Sequence, residues 1–238
     1  MQPLPITSEQ SKVKAALPAA DAYIFDIDGT LLVTKDLVHW NALHQAMTEA
    51  YGVDTTIEGI PYHGKTDLSI LRAAVERAGV SDSDFEAGLP VALDVVCREV
   101  EANHLQLAPE ICQGIVQLLE SLKASGKLIG VASGNLEIVG WHKIEAAKLR
   151  QFFSFGFFSD RHESRGAVFG NALNFVKEQL GPAARVCFIG DTPSDVEAAK
   201  QAGGQILAVA SGTFTFDELN TCSPDLCVSH CGELFLCI

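Results

Sequence analysis

Short apolar runs bounded by turn residues recur along the 238-residue chain. They are Ala22 to Phe25, Leu128 to Ala132, Phe155 to Phe158, Val186 to Ile189, Ile206 to Ala210 and Leu226 to Val228. Continuous apolar runs of this length are typical of strands that are buried on both faces. Segments of helical period lie between most of them, one with apolar positions at Ile111, Ile115, Leu118, Leu119 and Leu122. The alternation predicts an α/β fold with a parallel sheet and right-handed crossovers.

One long stretch, from Thr34 to Ala108, shows helical patterns and no strand. Helices are predicted over His39 to Tyr51, Asp67 to Ala78 and Asp82 to His104, the last with Ser81 or Asp82 as its N-cap. We interpret residues 34–108 as a helical cap domain inserted into a core of residues 1–33 and 109–238, with residues 1–20 as an N-terminal extension. The linkers, Thr34 to Asp36 and Leu107 to Pro109, would act as a hinge.

The charge balance narrows the class of partner. With 17 basic and 30 acidic residues the formal charge is −13, which argues against a nucleic-acid-binding or anionic-membrane surface. No secretory signal pattern is visible in residues 1–20, and no apolar run reaches the roughly 18 residues of a membrane span. A soluble, cytoplasmic protein is expected, and any bound anion must meet positive charge that is gathered locally.

Four of the seven cysteines lie near the C-terminus: Cys222, Cys227, Cys231 and Cys237. Together with His230 they raise a zinc interpretation, but the spacing lacks a paired C-x-x-C pattern. Small buried thiols in a reducing cytoplasm are the favoured interpretation. We predict a last strand over Asp225 to Val228, followed by a helix through Leu234, Phe235 and Leu236.

Polar segments follow three of the predicted strands directly, where ligands bind in open α/β sheets. The segments are Asp26-Ile27-Asp28-Gly29-Thr30, Ser133-Gly134-Asn135 and Gly190-Asp191-Thr192-Pro193-Ser194-Asp195. Asp26 and Asp191 would converge as two buried like charges, a conflict that a divalent cation resolves. Hard oxygen ligands without His or Cys favour Mg²⁺ over zinc.

The same residues suit phosphoryl transfer. Asp26 would be the carboxylate nucleophile, and Asp28 would protonate the leaving oxygen and then activate water. Gly29 allows a tight turn, so that backbone N–H groups of the segment through Thr30 point at the anion. Ser133 offers a hydroxyl donor, and Gly134 and Asn135 add backbone N–H groups. Arg165, 32 residues after Ser133, is the predicted cation beside Asp26.

In this order the motifs resemble the haloacid dehalogenase-like hydrolase superfamily, over nearly the whole chain from about residue 20. The resemblance implies a Rossmann-like three-layer core with a small helical cap, as in phosphoglycolate phosphatase and β-phosphoglucomutase relatives. It implies Asp26 as nucleophile and metal ligand, Asp28 as acid/base and metal ligand through its backbone carbonyl, Asp191 as metal ligand and Asp195 as outer support.

The third motif departs from the family pattern. Most relatives carry a Lys there, whereas this chain has Glu163-Ser164-Arg165-Gly166. Arg161, Lys143 and Lys148 are competitors for the cation beside Asp26, although both lysines come early, on the helix after Ser133. Arg165 would preserve the charge and change the hydrogen-bond geometry.

The segment Tyr62-His63-Gly64-Lys65-Thr66-Asp67 resembles a specificity loop of cap-bearing relatives, in which Lys65 would meet a substrate anion. Thr66 or Asp67 could equally be an N-cap for the next helix. Trp40 is interpreted as packing rather than substrate contact.

Together these features predict a Mg²⁺-dependent phosphomonoesterase that acts on a small phosphorylated metabolite through an aspartyl-phosphate on Asp26. Asp28 favours phosphate ester hydrolysis over dehalogenation, because a halide leaving group needs no acid. Two alternatives stay open: a phosphomutase of the β-phosphoglucomutase type, and a non-catalytic phosphoryl-binding protein that retains the fold.

Overall fold

The computed structural model describes residues 15–235, so most of the predicted N-terminal extension lies outside the described residues. The strands are β1 (Ala15–Ala16), β2 (Ala22–Phe25), β3 (Leu32–Thr34), β4 (Pro109–Ile111), β5 (Leu128–Ala132), β6 (Phe155–Phe157), β7 (Val186–Gly190), β8 (Gln205–Val209), β9 (Leu226–Val228) and β10 (Leu234–Phe235). The helices are α1 (Val38–Tyr51), α2 (Asp67–Arg77), α3 (Asp82–Asn103), α4 (Ile115–Ala124), α5 (Glu137–Ala146), α6 (Arg165–Leu180), α7 (Pro193–Ala202) and α8 (Phe216–Thr221). Short 3₁₀ turns cover His104–Gln106, Arg150–Phe152 and Cys231–Glu233.

Six strands form one parallel sheet in the order β6-β5-β2-β7-β8-β9. In register, Phe25 of β2 lies beside Val131 of β5 and Ile189 of β7, so the carboxyl ends of these three strands reach the same edge. This arrangement confirms the predicted α/β, Rossmann-like fold class. It also brings the three polar segments that follow these strands together.

Both faces of the sheet are covered, which is why its strands carry continuous apolar runs. Phe25 and Ile189 point into one apolar cluster, which includes residues of α4. Ile24 and Phe188 point into the opposite cluster, which includes residues of α6 and α7. Burial on both faces fixes the strand ends that carry the polar segments.

Helices α1, α2 and α3, here called the helical lobe, pack around an apolar cluster of their own. Phe85 and Met47 are fully buried in it. The Thr66 side chain accepts a hydrogen bond from the backbone of Ser69 and so caps α2, while Ser81 caps α3. The cluster also takes in residues of the segment that leads into α5, which joins the lobe to the core.

Two segments differ from the prediction. On the core side of the predicted linkers lies a two-stranded antiparallel ribbon, in which Leu32 pairs with Ile111 and Thr34 with Pro109. Ile111 therefore lies in a strand rather than at the start of a helix, because α4 begins only after its N-cap Gly114. The ribbon joins the two chain segments that cross between core and lobe.

The predicted C-terminal helix is wrong. Cys231–Glu233 forms one 3₁₀ turn, and Leu234–Phe235 then pairs in parallel with Ala15–Ala16. A partner strand more than 200 residues away supplies these backbone hydrogen bonds, so local sequence cannot reveal it. Leu236 and Cys237 lie outside the described residues.

Across residues 15–235, every helix is too short or too polar to cross a bilayer. Cys231 is buried, and Cys222 and Cys227 are half-buried.

Candidate active site

The site lies at the carboxyl edge of the sheet, beneath the helical lobe. Asp26 follows β2, Ser133 follows β5 and Asp191 follows β7, and all three are buried. Together with Asp28 and Arg165 they line a cavity of about 530 Å³. The lobe contributes its other wall, through His39, Trp40, Leu43, Ile57, Tyr62 and Lys65.

Three buried carboxylates converge at this edge. Asp26, Asp191 and Asp195 each offer an oxygen within 4.8 Å of the other two. Burial and the charges of Asp195 and Asp26 raise the pKa of Asp191 well above its ordinary value, although Thr30 Oγ1 donates a hydrogen bond to its Oδ1 over 2.9 Å. Burial likewise raises the pKa of Asp26 to about 6. The cluster carries more negative charge than the side chains around it neutralise.

Gly29 allows Asp191 to lie close to the backbone of the segment that follows β2. It has a φ of +84°, and a Cβ there would stand 2.2 Å from Asp191 Oδ2. A side chain at this position would therefore displace Asp191 as well as strain the backbone.

Arg165, at the start of α6, is the cation beside Asp26. Its Nη2 lies 2.5 Å from Asp26 Oδ2, and its Nε lies 2.6 Å from Asp195 Oδ1. The other oxygen of Asp195 accepts hydrogen bonds from Thr192, which caps α7. Arg161 is exposed. Of the candidate cations, Arg165 is thus the one that contacts Asp26.

Asp28 has a different environment, although it is only two residues from Asp26. Lys143 Nζ lies 2.9 and 2.7 Å from its two oxygens, and Asn135 Nδ2 donates to Oδ2 over 2.8 Å. Burial acts to raise the pKa of Asp28, but the Lys143 charge and the two hydrogen-bond partners outweigh it and lower the pKa. Two neighbouring carboxyls with pKa values shifted in opposite directions are a mark of acid–base sites.

Lys143 is the contact that sequence reasoning missed, since it was considered only as a competitor for Asp26. It is 2% exposed, and His39 of the lobe lies 3.3 Å away through Nδ1. His39 Nε2 lies 3.1 Å from Asp67 Oδ2, so a neutral ring with its proton on Nε2 satisfies both contacts. One sequence signal was available. Lys143 follows Val139 by four residues and Gly140 by three, so all three lie on the same buried face of α5.

The lobe contacts the core directly beside Ser133. A Cβ on Gly134 would stand 2.2 Å from the carbonyl oxygen of Lys65, so the two backbones meet there. Asp67 N donates to Gly134 O over 2.8 Å, and Leu136 N donates to Asp67 Oδ2 over 2.8 Å. The Lys65 side chain is exposed and lines the cavity.

The acidic cluster suits a hard divalent cation. Among the described residues Asp26 Oδ1 has no hydrogen-bond partner although it is buried, and such an atom is costly unless a cation meets it. The neighbouring donors are carboxylate oxygens, the ligands that hard cations prefer. Asp195 is already engaged by Arg165 and Thr192, which leaves Asp26 and Asp191 as the available carboxylates.

The carboxylate cluster lies at the topological switch point of the parallel sheet, where the strand order reverses, and the helical lobe lies above it. This combination defines a class of α/β hydrolase. Residues 23–209 match the family model of the haloacid dehalogenase-like hydrolases. The chain belongs to this family, as the motifs predicted, and is a hydrolase of its phosphatase kind.

Several relatives match over most of their length. A probable phosphatase, IndB, from Dickeya dadantii is 27% identical, over 89% of this chain and 90% of that protein. A phosphoglycolate phosphatase from Mesorhizobium japonicum is 23% identical, over 89% and 91%. The crystal structure of CbbY from Rhodobacter sphaeroides in complex with phosphate shares the fold, with a TM-score of 0.67 and 17% identity over 92% of this chain and 98% of that one.

Proposed function

We propose that the protein is a Mg²⁺-dependent phosphomonoesterase that hydrolyses a small phosphorylated metabolite through an aspartyl-phosphate on Asp26. The observation that carries the proposal is the set of contacts made by the two carboxylate oxygens of Asp26. One carboxylate oxygen is paired with Arg165, and the other is buried and has no hydrogen-bond partner among residues 15–235. Asp26 lines a cavity of about 530 Å³, which has room for a small organic phosphate.

In the first step an oxygen of Asp26 attacks the phosphorus, and the bond from phosphorus to the ester oxygen breaks. Asp28 gives its proton to the departing oxygen. The negative charge of a bound phosphate ester offsets the charge of Lys143, and so favours the protonated Asp28 that this step needs. Arg165 and the Ser133 hydroxyl would stabilise the charge on the phosphoryl oxygens.

In the second step water attacks the phosphorus, Asp28 takes the proton of that water, and the bond between phosphorus and Asp26 breaks. Lys143 and Asn135, which lower the pKa of Asp28, favour the ionised form that acts as base. Inorganic phosphate and the starting carboxylate result. One carboxyl thus serves both steps, with Lys143 biasing it toward the second.

Asp26, Asp191 and the backbone carbonyl of Asp28 would hold the Mg²⁺, which neutralises phosphoryl charge and keeps the group in line with the nucleophile. The helical lobe would serve as the cap that excludes bulk water and selects the substrate. Residues 34–108 remain our proposed boundary for this cap.

A second crystal structure of CbbY is of a complex with xylulose-1,5-bisphosphate, and the relative from Mesorhizobium japonicum is a phosphoglycolate phosphatase. Both relatives support a small phosphorylated substrate for this chain.

The non-catalytic alternative depended on the missing Lys of the third motif. Arg165 supplies a cation at 2.5 Å from Asp26, which removes its support. Product analysis with a hexose phosphate would identify a mutase.

The test is turnover of p-nitrophenyl phosphate with Mg²⁺ and with EDTA. Asp26→Asn should abolish hydrolysis, while Asp54→Asn, which changes an exposed carboxylate outside the cavity, should not. Asp28→Asn should release a burst of one nitrophenolate per enzyme, because this leaving group needs little protonation, and should then stall as a phosphoenzyme. Steady turnover by Asp26→Asn, or a phosphoryl group found on another residue, would contradict the proposed mechanism.

A further inference from the structure

We infer a second metal site, for a transition ion of the Zn²⁺ type, at the junction of the helical lobe and the core. Its ligands are Glu101, His104 and His142. The site is separate from the acidic cluster and does not depend on the proposed phosphatase function.

The three side chains come from both parts of the molecule. Glu101 lies in the last turn of α3, His104 begins the 3₁₀ turn that follows, and His142 lies on α5 of the core. Each offers a ligand atom within 4.8 Å of the other two. His142 Nε2 already lies 2.6 Å from Glu101 Oε2, and the two imidazole rings stack with centroids 4.8 Å apart.

A hydrogen bond orients the His104 ring as metal-ligating histidines are oriented, while the corresponding contact of His142 is longer. His104 Nδ1 lies 2.6 Å from the backbone carbonyl oxygen of Glu101, and His142 Nδ1 faces Glu145 Oε2 at 3.9 Å. Histidine ligands usually donate one ring N–H to a carbonyl or carboxylate and bind the metal through the other nitrogen. In His104 the Nδ1 contact leaves Nε2 for the metal. In His142 the metal would replace the proton that Nε2 shares with Glu101 Oε2, and both of these atoms would become ligands.

The donor set selects the ion. Two imidazole nitrogens and one carboxylate oxygen suit Zn²⁺ or Co²⁺, with a water as fourth ligand, and are a poor set for Mg²⁺. The His142 side chain is 16% exposed and the Glu101 side chain 58%, so the site is open to water on its Glu101 side, where the fourth ligand would bind.

The site lies where it would link the helical lobe to the core. His104 precedes β4, through which the chain returns from the lobe to the core, whereas His142 is fixed on the core. A metal bound to both would tie the return segment to α5. Binding should therefore raise the melting temperature and restrain the lobe.

The experiment measures binding rather than turnover. Zn²⁺ is titrated by calorimetry, with excess Mg²⁺, into the full chain carrying Asp191→Asn, which weakens the acidic cluster as a competing site. Co²⁺ serves as a second probe, because four-coordinate Co²⁺ shows strong visible absorption. One ion should bind per chain, with the spectrum of a nitrogen- and oxygen-ligated tetrahedral ion.

In that background His104→Ala and His142→Ala should each weaken binding at least about tenfold, the loss that removal of a mere outer-shell partner causes. The matched control, His162→Ala, changes a histidine that hydrogen-bonds Asn171 and should leave binding unchanged. Melting curves without metal check that each variant is folded. Equal Zn²⁺ affinity in the variant that lacks both His104 and His142, or no binding by the parent chain, would overturn the inference.

Discussion

The buried charge of Asp26 should destabilise the metal-free protein at neutral pH. Burial, with the charges of Asp195 and Asp28, raises its pKa from 3.8 to about 6 despite Arg165. A carboxyl with a raised pKa in the folded protein holds its proton more tightly there than in the unfolded chain. The contribution of Asp26 to the free energy of unfolding is therefore fully present below about pH 3.8 and is lost as the pH rises through about 6. At about 1.4 kcal/mol for each tenfold change in acidity, the loss is about 3 kcal/mol.

Asp26→Asn isolates this effect, since asparagine is a neutral side chain of nearly the same shape. In EDTA at about pH 7.5, urea denaturation should show the variant to be more stable than the parent by about 3 kcal/mol. The difference should shrink as the pH falls below about 6 and approach zero by about pH 3, where Asp26 is protonated in both states. Asp54→Asn, at an exposed position, should show neither effect.

Mg²⁺ supplies the second arm of this test. At neutral pH it should stabilise the parent chain, because its proposed ligands are the carboxylate pair of the folded state, and it should stabilise Asp26→Asn much less. If the Asn variant is no more stable than the parent in EDTA at neutral pH, or if the gain is the same at every pH, the charge of Asp26 is not a source of instability. If Asp26→Asn is more stable than the parent and inactive, the charge of Asp26 lowers stability while it serves the activity.

Three further changes probe the surrounding contacts. Lys143→Met should raise the pKa of Asp28, so the acid limb of the kcat–pH profile should move to higher pH; an unmoved limb would contradict the pairing. Gly134→Ala should raise KM and cost about 1–3 kcal/mol in urea unfolding, because its methyl group would meet the carbonyl of Lys65. Arg165→Lys should keep turnover within about tenfold, whereas Arg165→Met should lose about 10²–10³; equal losses would show that charge is not what matters.

The strands and the polar segments after them could be predicted because both depend on local sequence. A strand buried on two faces is a continuous apolar run, and the observed β2 and β5 have the predicted bounds. The polar residues that end such runs must reach one edge when the strands are parallel. Arg165 was found by its spacing from Ser133, and its side chain contacts Asp26.

What sequence reasoning missed depends on tertiary contacts. The β3–β4 ribbon joins segments 75 residues apart, and β10 needs β1 as its partner. Lys143 could be recognised as a lysine on an apolar helix face, but its partner Asp28 is 115 residues away. A buried ammonium requires a partner, and only the packing of α5 beneath the lobe decides which carboxylate that is.

The chain of contacts from Asp67 through His39 and Lys143 to Asp28 connects the lobe to the carboxyl that we propose as acid and base. Asp67 and His39 belong to the lobe, Lys143 and Asp28 to the core, and each link is 3.3 Å or shorter. If His39 acts through Lys143, then His39→Ala should lower kcat less than Lys143→Met does, and adding it to Lys143→Met should have little further effect. A double-mutant cycle on kcat measures this coupling. Additive losses would mean that His39 contributes on its own, through the substrate or through lobe packing, and that the position of the lobe is not transmitted to Asp28 along this path.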